Sequence, residues 1–352
     1  MQYRTLGRTG VQVSTLALGA MNFGAIGRTT QDEATAVVDA ALEAGINIID
    51  TADMYSVGES EEMVGKAIAG RRDDIVLATK ATMPMGEERN HRGSSRRWLV
   101  TELDNSLRRL GVDHVDLYQI HRWDPTTSDE ETLSALTDLQ RAGKIRCFGS
   151  STFPAYRIVQ AQWAAREHHL SRYVTEQPSY SILQRGIEAH VLPVTQEYEL
   201  GVLAWSRLAS GWLSGAIRAG REITTSRSAI RPERFDLALP ANRARLDAVE
   251  RLAEVADRAG LNHDPARARL RDRPPRRDRR DHRPAHSGPS ALATRRRRHG
   301  ALRRRPRRDR RDRGPGARPG AGGEVRHPAR AARPGAAAPL TAGLPVSPAR
   351  AA

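Results

Sequence analysis

Hydrophobic and polar positions follow two rhythms over the first 261 residues of this 352-residue chain. STLALG (14–19), INIID (46–50), DIVLATK (74–80), VDLYQIH (115–121), KIRCFGS (144–150), YVTEQ (173–177) and GVLAWS (201–206) are short apolar runs rich in Val, Ile and Leu, as buried strands are. Between them lie stretches of helical spacing: QDEATAVVDAALEAG, ESEEMVGKAIAG, SRRWLVTELDNSLRRLG, DEETLSALTDLQRAG, AYRIVQAQWAAREHH and GIEAHVLPVTQEYEL. Several end in Gly, the residue that closes a helix in the left-handed conformation. Strand and helix repeated in this way predict an α/β fold, a parallel sheet with helices outside it.

A doubly wound open sheet and a closed (β/α)8 TIM barrel both satisfy that order, and three features favour the barrel. No GxGxxG turn follows the first strand. RTLGRTGVQVS near the start reads as a small hairpin able to cap a barrel bottom. Strand after strand ends in a polar residue: Asp50, Lys80, His121, Ser150–Ser151, Glu176–Gln177 and Ser206, spaced about 26 to 41 residues apart, close to one βα unit each. Closure of a barrel would bring these side chains to one mouth, where barrel active sites sit.

The residue types at that mouth describe carbonyl reduction without a metal. Asp50 ends one strand, Tyr55 follows in its loop, Lys80 ends the next strand and His121 the one after. A buried lysine beside a carboxylate keeps its charge, and such a cation lowers the pKa of a neighbouring tyrosine. A tyrosine so tuned donates a proton to a carbonyl oxygen as it becomes an alkoxide. A neutral histidine bonded to the same oxygen orients the substrate. Taken singly, each has an ordinary explanation: a strand-end Asp caps turns, a Tyr is half-buried packing, a Lys snorkels and a His is satisfied in a core. Together, on three successive strand ends, they point to chemistry. Metal-ligand spacing is missing, and AREHH at 165–169 reads as an exposed helix end.

DTADMY with the later Lys80 and His121 resembles the aldo-keto reductases, and the resemblance runs through residues 1–261. LGRTGVQVSTLALGAMNFG is similar to that family's N-terminal hairpin and first strand. GSSTF at 149–153 matches the segment that holds the nicotinamide carboxamide, here through Ser151 and Thr152, with Gln177 as the third contact. Trp205 stands where the family places an aromatic under the nicotinamide ring, and WSRLASGWLSG resembles its pyrophosphate loop, assigning Ser206 and Leu208 to the cofactor. The resemblance implies a TIM barrel and NADPH-dependent reduction of an aldehyde or ketone, with Tyr55 as general acid. Three positions depart from the pattern: Thr152 replaces the usual Asn, Arg207 the usual Pro and Ser210 the usual Gly. The family's eighth strand, the IIGPRT-like segment that grips the NADPH 2′-phosphate and the closing helices do not follow Leu261.

Charge explains why. Residues 262–352 hold 26 of the 57 Lys+Arg, all of them Arg, and 7 of the 41 Asp+Glu, a surplus of 19 positive charges. The first 261 residues keep 31 basic against 34 acidic groups, so the overall +16 comes wholly from the last quarter. That quarter has no Phe, Trp, Tyr, Ile or Met and 13 of the 20 prolines, and such a segment is expected to be disordered. Read one base later with suitable codons, residues 262–286 yield TTTQLALGFVIAHPAVTAAIIGPRT, the missing strand and phosphate motif. Residues 301–316 likewise yield LSDDVLDEIDEIVAPG, an amphipathic helix. The tail therefore reads as an out-of-frame C-terminus, and the barrel as one that lacks its eighth strand.

Two other functions fit parts of the sequence: a catalytically impaired barrel that only binds, or a nucleic-acid binder acting through the Arg-rich tail without sequence preference. No apolar run is long enough to span a bilayer, and the single Cys147 fits a reducing compartment, so a cytoplasmic protein is expected.

Overall fold

The computed structural model describes residues 1–224, 228 and 231–260. The expectations for residues 262–352 lie outside the described residues. The chain opens with an antiparallel hairpin of β1 (Tyr3–Thr5) and β2 (Gln12–Ser14). A seven-stranded parallel sheet follows in strict sequence order: β3 (Leu18–Gly19), β4 (Ile48–Asp50), β5 (Val76–Ala81), β6 (Val115–Ile120), β7 (Ile145–Ser151), β8 (Thr175–Gln177) and β9 (Gly201–Val202). Among the described residues no eighth strand joins β9 to β3. The run 14–19 is divided between the hairpin and the sheet, and 201–206 keeps only two strand residues plus a bridge from Trp205 to Ser179.

Each crossover is a helix whose ends the sequence specifies. Thr30 and Glu33 form a reciprocal capping box at α1 (Gln31–Glu43). α2 (Glu59–Ala67) carries three acids in its first turn, where they favour the helix dipole. Ser95 caps α3 (Arg96–Leu110), and Gly111 at φ +64° closes it. Ser128 caps α4 (Asp129–Arg141), and α5 (Ala155–Glu167) starts just after Pro154. GIEAHVLPVTQEYEL is not one helix: a short 3-10 turn at Gly186–Glu188 precedes α6 (Val191–Glu197). Pro193 lacks an amide hydrogen and fits only a first helical turn, so the helix cannot extend further upstream. Among the described residues a further helix, α7 (Pro240–Arg258), is present although the strand–helix rhythm did not include it.

The sheet is rolled. Gln177 Nε2 on β8 donates to Asp50 Oδ1 on β4 at 3.0 Å, four strands away in the sheet order. In a flat sheet four spacings would hold these strands about 19 Å apart. The period of two then sorts every strand into an inner and an outer face. Ile49, Leu77, Tyr118 and Phe148 face outward into the main core, with Val64, Leu99, Leu103, Leu136 and Ile158 from the helices. Ile48, Ala78, Leu117 and Cys147 face inward and are closed from below by Leu6 and Val13 of the hairpin. The hairpin thus caps the bottom, as its sequence suggests. Each large apolar side chain buried in this way stabilises the fold by roughly 1.5–3 kcal/mol.

Candidate active site

One step up each inward row the chemistry changes. Two residues beyond Ile48 and Ala78 stand Asp50 and Lys80, and two beyond Leu117 stands Gln119, then His121. Lys80 is fully buried, and its Nζ donates to Asp50 Oδ2 at 2.6 Å, to the Thr51 carbonyl at 2.8 Å and to the Tyr55 hydroxyl oxygen at 3.3 Å. Burial by itself would push the Lys80 ammonium down. The charges of Asp50 and Tyr55 and the hydrogen bonds to both outweigh that, so its pKa is raised and the group stays charged. Gln119 Nε2 and Gln177 Nε2 both donate to Asp50 Oδ1 at 3.0 Å. Both oxygens of the carboxylate are thereby fixed.

The His121 ring stands edge-on to Tyr55, centroids 5.8 Å apart. Burial, then the charges of Lys80 and Arg122, lowers its pKa to about 2, so the imidazole is neutral. Its buried Nδ1 has no hydrogen-bond partner among the described residues.

Tyr55 is carried on a tight turn. Ser56 and Val57 lie at φ +49° and +54°, a conformation costly for a β-branched residue. A buried group supports this turn from behind. Asp53 accepts from the Met54 amide at 2.6 Å, and Arg109 spans Glu61 at 2.6 Å and Glu102 at 2.5 Å. Gly58 is required here, because a Cβ would lie 2.6 Å from Arg109 Cδ. Burial, then repulsion from Glu61 and Glu102, raises the Asp53 pKa well above its ordinary value.

Ser151 and Gln177 occupy adjacent strand ends, with Ser151 Oγ donating to the Gln177 carbonyl at 2.9 Å. Thr152, at φ +58°, accepts from Trp205 Nε1 at 3.3 Å, and the indole is 38% exposed. Ser206 Oγ accepts from the Ser210 amide at 3.2 Å, and the Leu208 carbonyl accepts from Gly211 and Leu213 at 2.9 and 3.1 Å. This wound loop holds Ser206, Ala209 and Ser210 at positive φ.

Two residues in the row of polar strand ends do not join the mouth. Ser150 and Glu176 fall on the outer face, where Ser150 Oγ donates to Glu176 Oε2 at 2.5 Å and the Phe153 amide to Oε1 at 3.1 Å. Their inward neighbours Ser151 and Gln177 take the site positions, as a period of two demands. Gln119 and Arg122 are brought to the mouth although the sequence reading did not single them out. Gln119 was findable, since it shares the inward parity of His121; Arg122 was not, since it begins a loop. No cluster of three His, Cys, Asp or Glu suited to a metal occurs among the described residues.

A family sequence model described as the Aldo/keto reductase family matches residues 15–271. The uncharacterized oxidoreductase YrpG of Bacillus subtilis (strain 168) is 40% identical over 253 residues, covering 68% of this chain and 76% of its own. The aldo-keto reductase YhdN of the same organism is 35% identical over 260 residues, covering 73% and 76%. A probable voltage-gated potassium channel subunit beta of Oryza sativa subsp. japonica is 38% identical over 235 residues, covering 65% and 71%.

Proposed function

Since this chain belongs to the aldo/keto reductase family and is by that membership an oxidoreductase of barrel fold, we propose that it reduces an aldehyde or ketone to an alcohol with NADPH, Tyr55 being the general acid. The observation that carries the reading is the Lys80 bond to Tyr55. The phenol oxygen accepts from an ammonium, so its own hydrogen is left for another acceptor. A substrate carbonyl oxygen is that acceptor. A bound NADPH would supply a hydride to the carbonyl carbon. As the C–O double bond becomes single, the Tyr55 proton passes to the oxygen. Lys80, held charged by Asp50, stabilises the phenolate left behind. His121 is neutral and takes no proton from Tyr55; it orients the carbonyl.

The residues present fit the nicotinamide end of the cofactor. Ser151, Thr152 and Gln177 offer hydroxyls and an amide from neighbouring strand ends for the carboxamide, and Trp205 offers an indole face for the ring. Ser206 and Leu208 lie on the loop assigned to the pyrophosphate. The grip on the 2′-phosphate lies outside the described residues, in the segment inferred to be out of frame after codon 261; sequencing the gene across that codon checks this. No helix among the described residues is long and apolar enough to cross a membrane.

The test is NADPH consumption by the purified chain with a panel of aldehydes. Consumption that persists at the wild-type rate in Tyr55→Phe would refute the assignment. NADPH binding without consumption would favour a barrel that only binds.

A further inference from the structure

Arg122 is the first residue after His121, and its placement is controlled more closely than packing requires. Its amide donates to Thr82 Oγ1 at 3.2 Å, and the same hydroxyl donates to its carbonyl at 3.4 Å. Thr82 makes this grip from φ +110°, a conformation a β-branched residue rarely adopts. The side chain is pinned too: Nη1 donates to the His121 carbonyl at 2.5 Å and to Ser151 Oγ at 3.4 Å, and the guanidinium lies 5.6 Å from the Trp205 ring. Only Nη1 is used. Nε and Nη2 bond to no described residue.

The charge is also unmatched. Buried Lys80 faces Asp50, half-buried Arg72 faces Asp116, and Arg109 faces Glu61 and Glu102. Among the described residues, no carboxylate lies within ion-pair distance of Arg122. Glu176, the acid whose charge bears on it, faces outward and is bonded to Ser150 and Phe153; burial raises its pKa to about 7, so its charge is incomplete at neutral pH. Arg122 is itself half-buried, and burial presses its pKa down from the usual guanidinium value. A cation partly stripped of water, with a fork of donors unused, gains most from an incoming anion.

We propose that Arg122 determines specificity, receiving an anionic group on the substrate, so that the preferred substrates are aldehydes or ketones carrying a carboxylate or similar anion. The Nη1 anchors fix the fork beside His121, and the remaining donors match the two oxygens of a carboxylate. The proposal rests on the carbonyl-reduction reading above and names the substrate class of that same site. The same donors would also suit a phosphate of the cofactor, and the two sources separate experimentally.

The experiment uses the full chain, wild type beside Arg122→Met and Arg122→Lys. With NADPH, kcat/KM is measured for 4-formylbenzoate and 4-formylbenzamide, which differ in charge and little in shape. Without turnover, quenching of tryptophan fluorescence measures binding of benzoate and benzamide. Wild type is expected to prefer the carboxylate by about 10–100-fold in both measurements. In Arg122→Met that ratio falls to about one, and Arg122→Lys lies between. An equal loss for charged and neutral substrates leaves the ratio intact and overturns the proposal. So does a ratio that stays intact while the KM for NADPH rises, which assigns the fork to the cofactor. If wild type reduces neither aldehyde yet binds benzoate through Arg122, the carbonyl-reduction reading fails while the anion site stands. If benzoate binds no better than benzamide, the anion site fails.

Discussion

The inward face of the rolled sheet divides into a bottom and a mouth about 6.6 Å apart, two residues along each strand. At the bottom Ile48, Ala78, Leu117 and Cys147 close on Leu6 and Val13. At the mouth the first three of these strands present Asp50, Lys80 and Gln119. The difference teaches that the dry layer is part of the electrostatics above it. With hydrocarbon directly beneath, the Lys80–Asp50 pair is cut off from water on its lower side, and attraction at 2.6 Å is correspondingly stronger. The same exclusion of water keeps His121 neutral. The two levels differ in what a mutation should remove.

At the mouth, mutations should cost rate. Tyr55→Phe keeps the ring that packs against His121 and removes the proton. Turnover should fall by about 10²–10⁴-fold with NADPH binding nearly intact, as stopped-flow turnover and cofactor titration would show. Lys80→Met should be at least as damaging, because it also leaves half-buried Asp50 without its charged partner. Near-normal turnover in Tyr55→Phe would erase the distinction between the levels.

At the bottom, mutations should cost stability. Leu117 is fully buried against the hairpin, and Leu117→Ala should lower unfolding free energy by about 2–5 kcal/mol in urea titrations. The fraction that remains folded should turn over substrate at a rate much nearer wild type than Tyr55→Phe does. A rate loss as deep as that of Tyr55→Phe would mean that the cap shapes the mouth directly.

This two-level arrangement was legible in the sequence in one respect and hidden in another. The alternation of strands and helices, the hairpin cap and the pair Asp50 and Lys80 follow from short apolar runs ending in unlike polar residues, with Tyr55 in the loop after the first of that pair. Which of two adjacent strand-end polar residues faces inward does not follow from the runs themselves, because a strand end is defined only to a residue or two; the family resemblance, not the pattern, singled out Ser151 and Gln177. Ser150 and Ser151, or Glu176 and Gln177, are separated only by the register with the neighbouring strand, such as Ser150 opposite Glu176. Helix α7 escaped because residues 240–258 follow a long stretch without strand rhythm. Arg122 escaped because its position is set by Thr82, 40 residues earlier.

The outward neighbour of the mouth offers a pH test. Burial raises the Glu176 pKa to about 7, so across the window from about 4.5 to 7 the folded chain holds a proton that the unfolded chain has released. Stability from this group therefore falls as pH rises through that window. His121 acts in the opposite sense: with a folded pKa of about 2, it costs stability as pH falls below its ordinary 6.5. Glu176→Gln removes only the first slope. Its unfolding free energy in urea titrations should gain on wild type from pH 4.5 to 7, by roughly 3 kcal/mol in all. Parallel curves would show that Glu176 titrates as an ordinary acid.

The smallest effect is expected in the loop after β9. Ser210 lies at φ +60°, where glycine carries no penalty, and Ser210→Gly should raise stability by about 0.5–1 kcal/mol in the same titrations. A loss instead would show that the Ser210 side chain contributes more than its backbone strain removes.

The three side chains that hold Asp50 come from very different distances along the chain: Lys80 is 30 residues away, Gln119 is 69 and Gln177 is 127. Closing the longest loop instead of the shortest costs only about 1.2 kcal/mol of chain entropy, so the order of assembly is set by synthesis more than by thermodynamics. At roughly 5–20 residues per second, a nascent chain presents Lys80 to Asp50 some 5–20 s before Gln177 has been made. Asp50 gains its full set of partners only when β8 brings Gln177 to it.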